Sequence, residues 1–117
     1  MSQTIGILGG MGPHATLDFM RMLLNLSNKT KESENYRVVV DNNPQIPSRT
    51  RAFLFGEEDP TSYMIEGVKS LISAGADFIV VPCNSAHYFL PKVFETVPFP
   101  YIDIVKATSN KIVESEC

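Results

Sequence analysis

Cys83 is the side chain best suited to proton transfer or nucleophilic attack in this sequence. It follows the apolar run 78–81 and a proline, and Asn84 and Ser85 come directly after it. A thiol between the end of a strand and the start of a helix lies near backbone N–H groups, which favour the thiolate. Because cysteine is also one of the most frequently buried residue types, the residues alone leave a reactive thiol and a packed one equally open.

Three polar residues close to Cys83 could bind an anion or assist the thiol. Asn84 and Ser85 offer short side chains and backbone donors at a predicted helix start, where Ser85 could equally be an N-cap. His87 could form a thiol–imidazole pair with Cys83 or be a structural histidine. The sequence leaves both roles open for Ser85 and for His87.

Two arginines offer a partner for an anionic substrate. Arg49 and Arg51 lie in the segment 42–51, which we predict to be a loop because its two prolines cannot donate to a sheet. A guanidinium can bind a carboxylate through two parallel hydrogen bonds. The placement of the loop favours Arg49, although Arg51 could take the same role or simply face solvent.

A glycine-rich turn, residues 9–12, follows the first apolar run of the chain. The residues from Gly10 to Ala15 also satisfy the dinucleotide pattern G-x-G-x-x-A, and Asp41 stands where a ribose-binding acid is expected. A dinucleotide-binding protein is therefore one alternative. Pro13 weakens it, because a proline at the helix start removes one N–H that would face a pyrophosphate. The lysine and hydroxyl of a P-loop are missing too, which disfavours nucleoside triphosphates.

Alternating strands and helices are predicted to position these residues. Predicted strands are Thr4–Leu8, Tyr36–Asp41, Phe78–Val81 and Pro100–Ile104. One helix follows Pro13 with an apolar face of Leu17, Met20, Leu23 and Leu24. A second is capped by Asp59-Pro60, stopped by Gly75, and buries Met64, Ile65, Val68, Leu71 and Ile72. A short helix after Cys83 restarts at Pro91, and a last helix contains Ile104, Val105, Thr108 and Ile112.

This alternation predicts a three-layer α/β/α domain with a mostly parallel four-stranded sheet. In such a sheet ligands bind beyond the carboxyl ends of the strands. The glycine turn, the Arg49 segment and Cys83 all follow strands, so we expect them to converge at one edge.

Length, composition and charge restrict the class of protein. With 117 residues, 44% hydrophobic and 20% charged, the chain suits one globular domain. A net charge of -3 without a basic stripe disfavours nucleic acid as a partner. No apolar run reaches the roughly 20 residues of a membrane span, and the N-terminus lacks signal-peptide features, so we predict a cytoplasmic protein. Cys83 and Cys117 are then expected to be free thiols, with Cys117 incidental.

Three motifs in this order resemble the aspartate/glutamate racemase family, especially its aspartate racemases. They are Ile5–Pro13 with Ala15-Thr16, Asn42–Thr50, and Gly75–His87. The resemblance covers essentially the whole chain but only the first of the family's two similar α/β domains. It implies a cofactor-independent racemase that interconverts L- and D-aspartate or glutamate and needs neither pyridoxal phosphate nor a metal.

The resemblance also implies residue roles. Cys83 would be one of two acid/base thiols that act on opposite faces of the α-carbon. The implied substrate-binding residues are Gly10, Met11, Arg49, Asn84 and Ser85, with His87 as an auxiliary. Arg49 would clamp a substrate carboxylate, and Ser85 keeps the hydroxyl of the threonine common at that position.

The second thiol of the family lies in a Gly-Cys-Thr-Glu segment of the second domain, and this sequence contains no such segment. We therefore expect half of an enzyme, inactive by itself. A fragment of a longer protein is favoured over a natural truncation or a half completed by a partner. The matching surface should then be apolar, and homo-oligomerisation would be another way to cover it. The missing thiol also keeps open a noncatalytic module that binds a dicarboxylate or another subunit.

Overall fold

The strands form one parallel sheet in the order β2-β1-β3-β4, in a computed structural model that describes residues 3–27 and 31–103. The strands are β1 (Ile5–Gly9), β2 (Val38–Asn42), β3 (Phe78–Val80) and β4 (Tyr101–Ile102). In the central strand, Ile7 pairs with Val40 on one side and with Val80 on the other. The predicted α/β fold with a four-stranded sheet is confirmed.

Helices cover both faces of the sheet, which gives the three predicted layers. The helices are α1 (Pro13–Ser27), α2 (Arg49–Phe55), α3 (Thr61–Ser73) and α4 (Leu90–Thr96). Successive residues of a strand point to opposite faces. Ile5 and Ile7 therefore pack toward α1, whereas Leu8 is fully buried in the larger core on the side of α3 and α4.

The strand β2 is less covered than its three consecutive valines predicted. It lies at an edge of the described sheet, and Val40 is 36% exposed. Val38 packs on the α1 side and Val39 against the opposite core, so the strand is covered on both faces only near its start. A continuous apolar run is typical of a central parallel strand, but here it forms a partly open edge.

The apolar face of α1 is also only partly buried. Met20 and Leu23 pack on the sheet, whereas Leu17 and Leu24 are 58% and 60% exposed. Seven residues separate Leu17 and Leu24, so they share one flank of the helix, beside the stripe that contacts the sheet. The predicted apolar face is therefore helical, but only Met20 and Leu23 of the four residues contact the sheet.

The helix α2 begins inside the segment predicted to be a loop and extends beyond it. It begins at Arg49, because the Ser48 hydroxyl caps it by accepting a hydrogen bond of 3.1 Å from the backbone N–H of Arg51. It ends at Gly56, which has a left-handed φ of 64°. Both arginines are therefore helical, which corrects the prediction of a loop through residue 51.

The helix α3 buries the predicted face and ends at the predicted glycine. Gly75 has φ of 99°; its N–H bonds to the Ile72 carbonyl and the next N–H bonds to the Leu71 carbonyl. This pair of bonds is a Schellman motif, which glycine makes without steric cost. The restart at Pro91 is confirmed as well, since it lies in the first turn of α4.

The last predicted helix and Cys117 lie outside the described residues. No helix in the described ranges is long and apolar enough to cross a membrane.

The start of α3 depends on Asp59, whose carboxylate lies just before the helix. It accepts hydrogen bonds from the Thr61 hydroxyl at 2.6 Å and the Thr61 backbone N–H at 2.8 Å. These two bonds, the hydroxyl first, lower the pKa of Asp59 below its usual value. The helix itself begins one residue later than the sequence predicts, because Pro60 occupies the cap position.

We expect Asp59→Ala to lower the free energy of unfolding by about 1 kcal/mol at pH 7, the typical net contribution of a hydrogen bond, because the two bonds from Thr61 are lost. Because the pKa of Asp59 is lower in the folded state, its carboxylate stabilises the protein at pH values above the unfolded pKa of about 3.9. This stabilisation is lost as the pH falls through the folded-state pKa of Asp59. Asp59→Asn keeps an acceptor but cannot titrate. Urea unfolding of the three proteins from neutral to acid pH measures both effects. An Asp59→Ala protein as stable as wild type at pH 7 would contradict this role.

Candidate active site

The glycine turn and the Cys83 segment meet at the carboxyl edge of the sheet and line a cavity of about 550 Å³, here called the thiol cavity. Its lining residues come from the turn, from α1 and from the segment after β3. They are Met11, Ala15, Asp18, Phe19, Met22, Pro82, Cys83, Asn84 and Ser85. The predicted convergence at one edge therefore holds for Met11 and Cys83.

A second cavity of about 290 Å³, the arginine cavity, adjoins the first. Helix α2 forms one wall and the segment after Cys83 forms the other. The lining residues are Arg49, Thr50, Phe53, Leu54, Asn84, Ser85 and Tyr88. Because Asn84 and Ser85 line both cavities, they lie between the thiol and the guanidinium.

The Cys83 thiol is half-buried and opens into the thiol cavity. Its Sγ lies 3.4 Å from Ser85 Oγ, close enough for a hydrogen bond to sulfur. The Cys83 backbone N–H donates to the Val81 carbonyl at 2.8 Å. One side of the residue packs on the main core, but the sulfur is accessible, so the interpretation as a sealed structural cysteine is not supported.

The hydroxyl of Ser85 contacts the thiol and does not cap a helix. A short 3₁₀ helix spans Ser85–Tyr88, and Asn84 occupies its N-cap position without a side-chain cap bond. The interpretation of Ser85 as an N-cap is therefore wrong. Its hydroxyl, which can donate or accept, is placed instead to interact with sulfur.

The imidazole ring of His87 forms a hydrogen bond with the backbone of Cys83. Its Nδ1 lies 2.8 Å from the Cys83 carbonyl oxygen. A carbonyl oxygen only accepts hydrogen bonds, so Nδ1 carries the hydrogen and donates it. The sequence predicts proximity of the two residues correctly, but this bond reaches the main chain and not the sulfur.

The two arginines have different surroundings. Arg49 Nη1 donates to the carbonyls of Ile46 at 3.2 Å and Pro47 at 3.1 Å, which fixes the guanidinium at the wall of the arginine cavity. Its Nε is buried without a hydrogen-bond partner among the described residues. Arg51 instead pairs with Glu57 at 2.8 Å on the surface. Arg49 is therefore the arginine placed to meet a ligand.

Close packing of the loops after β1 and β2 explains why the turn has glycine at position 10. The N–H of Gly10, whose φ is 94°, donates to Thr16 Oγ1 at 2.9 Å. A Cβ on Gly10 would collide with the backbone of Asn43, so glycine allows the first two loops to approach each other. Gly10 thus holds Met11 in place at the thiol cavity, and its own N–H is already occupied.

The sequence of this chain matches the model of one known protein family over most of its length. The model of the Asp/Glu/Hydantoin racemases matches residues 8–115. The chain belongs to this family.

Relatives of this racemase-family chain are about twice as long as it is. It is 29% identical to the broad specificity amino-acid racemase RacX of Bacillus subtilis, over 92% of the chain and 48% of the relative. An aspartate racemase of Picrophilus torridus is 30% identical with a TM-score of 0.87, over 97% of the chain and 48% of that protein. An aspartate racemase homologue from Pyrococcus horikoshii, 23% identical with a TM-score of 0.79 over 97% of the chain and 50% of the homologue, shares the fold.

The surroundings of Asp41 disfavour dinucleotide binding by this racemase-family chain. Its carboxylate faces α3, where a Cβ on Gly67 would lie 2.9 Å from Asp41 Oδ2. The glycine turn leads into α1 on the opposite face of the sheet. The two halves of the apparent dinucleotide pattern therefore face opposite sides of the sheet, which disfavours a shared dinucleotide site.

Several residues that line the two cavities are absent from the sequence prediction. Phe53 and Tyr88 pack edge to face with ring centroids 4.5 Å apart and form an aromatic wall of the arginine cavity. Phe53 is absent from the prediction because α2 was not predicted, although Ser48 and Gly56 carry the signals for its two ends. On α1 four further residues, Ala15, Asp18, Phe19 and Met22, line the thiol cavity, and their spacing of three and four residues indicates one helix flank.

Proposed function

We propose that this chain contributes Cys83 as one of two acid/base groups in a racemase of aspartate or a related dicarboxylic amino acid, working without pyridoxal phosphate. The observation that carries the proposal is the position of the Cys83 thiol. It opens into a cavity whose wall, Asn84 and Ser85, is shared with the cavity of Arg49. A substrate bound across that wall would have its α-carbon near the sulfur and a carboxylate near the guanidinium.

The proposed reaction is a proton exchange at the α-carbon. One acid/base group in its basic form removes the α-proton, which leaves a planar carbanion-like species. A protonated group on the opposite face then returns a proton, so the configuration inverts and the two groups exchange protonation states. A thiol serves well in both directions once its surroundings adjust the proton affinity.

The residues near Cys83 support this role. The Ser85 hydroxyl, 3.4 Å from Sγ, can donate to a thiolate and accept from a thiol. Asn84 adds an exposed amide at the boundary of the two cavities. The positive charge of Arg49 would bind a substrate carboxylate and stabilise negative charge that develops beside it.

The second acid/base group would come from outside the 117 residues. The chain spans about half the length of the relatives it matches. In the racemase fold that the sequence resembles, the second thiol lies in a second domain. We therefore propose that catalysis needs both halves. The aspartate racemase of Picrophilus torridus, 30% identical, favours aspartate as the first substrate to test.

The test compares the 117-residue chain with a polypeptide extended through a second domain that carries a Gly-Cys-Thr segment. Both are incubated with L-aspartate in D₂O, and the D-enantiomer and the α-deuterium are followed by chiral chromatography and mass spectrometry. We expect the extended protein to racemise aspartate, with no inhibition by hydroxylamine, which traps pyridoxal phosphate. We expect negligible turnover by the 117-residue chain.

Two outcomes would contradict the proposal. Rapid racemisation by the 117-residue chain would remove the need for two halves. An extended protein that binds aspartate in calorimetry but exchanges no α-proton would indicate the alternative, a noncatalytic dicarboxylate-binding module.

A further inference from the structure

The backbone of Cys83 is held by a small hydrogen-bonded unit that includes one side chain. The Cys83 N–H donates to the Val81 carbonyl at 2.8 Å, and the His87 N–H donates to the Asn84 carbonyl at 3.1 Å. The third bond runs from His87 Nδ1 to the Cys83 carbonyl at 2.8 Å. Both backbone polar groups of Cys83 are therefore bonded within the segment 81–87, and one of these bonds depends on an imidazole.

The rest of the segment restrains Cys83 weakly. The 3₁₀ helix Ser85–Tyr88 has only four residues, and hydrogen bonds in such helices have poorer geometry than in α-helices. Asn84, at its N-cap, forms no side-chain cap bond. The imidazole bond thus closes a loop of five residues, 83–87, and adds a side-chain restraint on the Cys83 carbonyl to the main-chain bonds.

We propose that His87 is a positioning residue for Cys83 and acts through the main-chain carbonyl. By holding this carbonyl, His87 keeps the thiol beside the Ser85 hydroxyl and open to the thiol cavity. The catalytic meaning of this role rests on the proposed function of Cys83. It differs from a thiol–imidazole pair, in which a ring nitrogen would exchange a proton with the sulfur directly.

The variants His87→Asn and His87→Gln distinguish the positioning role from a thiol–imidazole pair, because their amide nitrogens lie at different distances from the backbone. The amide nitrogen of asparagine is bonded to Cγ, as Nδ1 of histidine is, so His87→Asn keeps a donor near the position that bonds the carbonyl. The amide nitrogen of glutamine is one bond farther out, as Nε2 is. His87→Gln therefore restores a group at Nε2 and loses the one at Nδ1.

The experiment measures the rate at which iodoacetamide alkylates Cys83 at pH 7 in the 117-residue chain, with Cys117→Ser as the common background. Loss of one hydrogen bond changes an equilibrium by about 0.5–1.5 kcal/mol. Because 1.4 kcal/mol is a factor of ten, we expect His87→Ala and His87→Gln to slow alkylation roughly two- to tenfold. We expect His87→Asn to stay within about twofold of the background. His14→Gln, at an exposed histidine outside the unit, is the matched control.

A second readout is the tautomer of His87 in ¹⁵N NMR spectra of the same chain. We expect the hydrogen on Nδ1 when the ring is neutral, because that nitrogen donates to the carbonyl. A hydrogen on Nε2 alone would overturn the proposal. So would restored alkylation in His87→Gln but not in His87→Asn, or equal rates in all variants, or equal slowing by all three substitutions. If His87→Ala does not fold, the asparagine and glutamine variants decide.

A failure of the positioning role of His87 can be distinguished from a failure of the proposed racemase function. Alkylation of the 117-residue chain requires no turnover, so its outcome does not depend on racemisation. Conversely, an extended protein that racemises normally without the Cys83 thiol would refute the acid/base role of Cys83 and leave the alkylation result unchanged.

Discussion

Cys83→Ala should slow aspartate racemisation by the two-domain protein roughly 10²- to 10⁴-fold, the range contributed by a positioned general acid or base. The reason is geometric, because inversion needs a proton donor and a proton acceptor on opposite faces of the α-carbon. An α-carbon bound in the thiol cavity would present one of these faces to the single thiol of Cys83. Rates of L-to-D and D-to-L conversion, measured by chiral chromatography, check the prediction.

Isotope exchange gives a more specific result for the same variant. With Cys83 gone, the remaining acid/base group can still remove and return a proton on its own face. We expect α-deuterium to enter one enantiomer in D₂O while the other stays unlabelled and neither inverts. A protein that had merely lost its fold would exchange neither enantiomer.

Cys83→Ser is the matched control for the chemistry of sulfur. Serine keeps a hydroxyl near Ser85 but is a far weaker acid than a thiol, so it should restore little activity. Cys83→Ala with normal racemisation would show that another residue performs the proton transfer. Full activity in Cys83→Ser would show that the position needs only a polar side chain.

The sheet was predictable because its strands carry local signals. The apolar runs 5–8 and 78–81 alternate along the chain with segments of helical periodicity. This alternation predicts a parallel α/β arrangement, whatever the details of the side chains. What the sequence could not show is which strand lies at an edge. That depends on strand order, so the valines of β2 looked like a central strand but are partly open.

The site was predictable where chain connectivity alone decides it. Turns that follow parallel strands lie at one edge, so Met11 and Cys83 had to be close. The difference between Arg49 and Arg51 depends on α2, whose helical turn directs one guanidinium to the cavity and the other to Glu57. The bond from His87 to a main-chain carbonyl also needs coordinates, because side-chain spacing predicts proximity and not the atom that is bonded.

The sequence predicts an apolar surface that a second domain would cover. The described residues include two groups of exposed apolar side chains. One lies on α1 and the other on α2 with the adjoining 3₁₀ helix. They are Leu17, Met22, Leu24 and Leu26, and Phe53, Leu54, Phe55 and Tyr88. Exposed apolar patches usually mark interaction sites. On α1, however, Met22 and Leu26 lie on the flank opposite Leu17 and Leu24, so these four side chains do not form one contiguous patch. The residues Met22, Phe53, Leu54 and Tyr88 also line the two cavities, so a second domain that covered them would enclose the proposed site. That arrangement stays a prediction.

Arg49→Met in the two-domain protein should raise KM for aspartate roughly 10- to 150-fold. This range follows from the 1.5–3 kcal/mol that hydrogen bonds to charged groups contribute. Steady-state kinetics in both directions measure it. Arg51→Met is the matched control, because Arg51 pairs with Glu57 on the surface and should leave KM within about twofold.

Arg49 also holds its own loop, so a structural contribution must be separated from substrate binding. Its Nη1 bonds to the Ile46 and Pro47 carbonyls, which Arg49→Met removes together with the charge. Arg49→Lys keeps the charge, but a single ammonium lacks the planar set of donors needed for both carbonyls and a carboxylate. We expect it to recover part of the affinity. If KM is unchanged in Arg49→Met, or rises equally in Arg51→Met, then the arginine cavity is not where the carboxylate binds, because Arg49 lines this cavity and Arg51 does not.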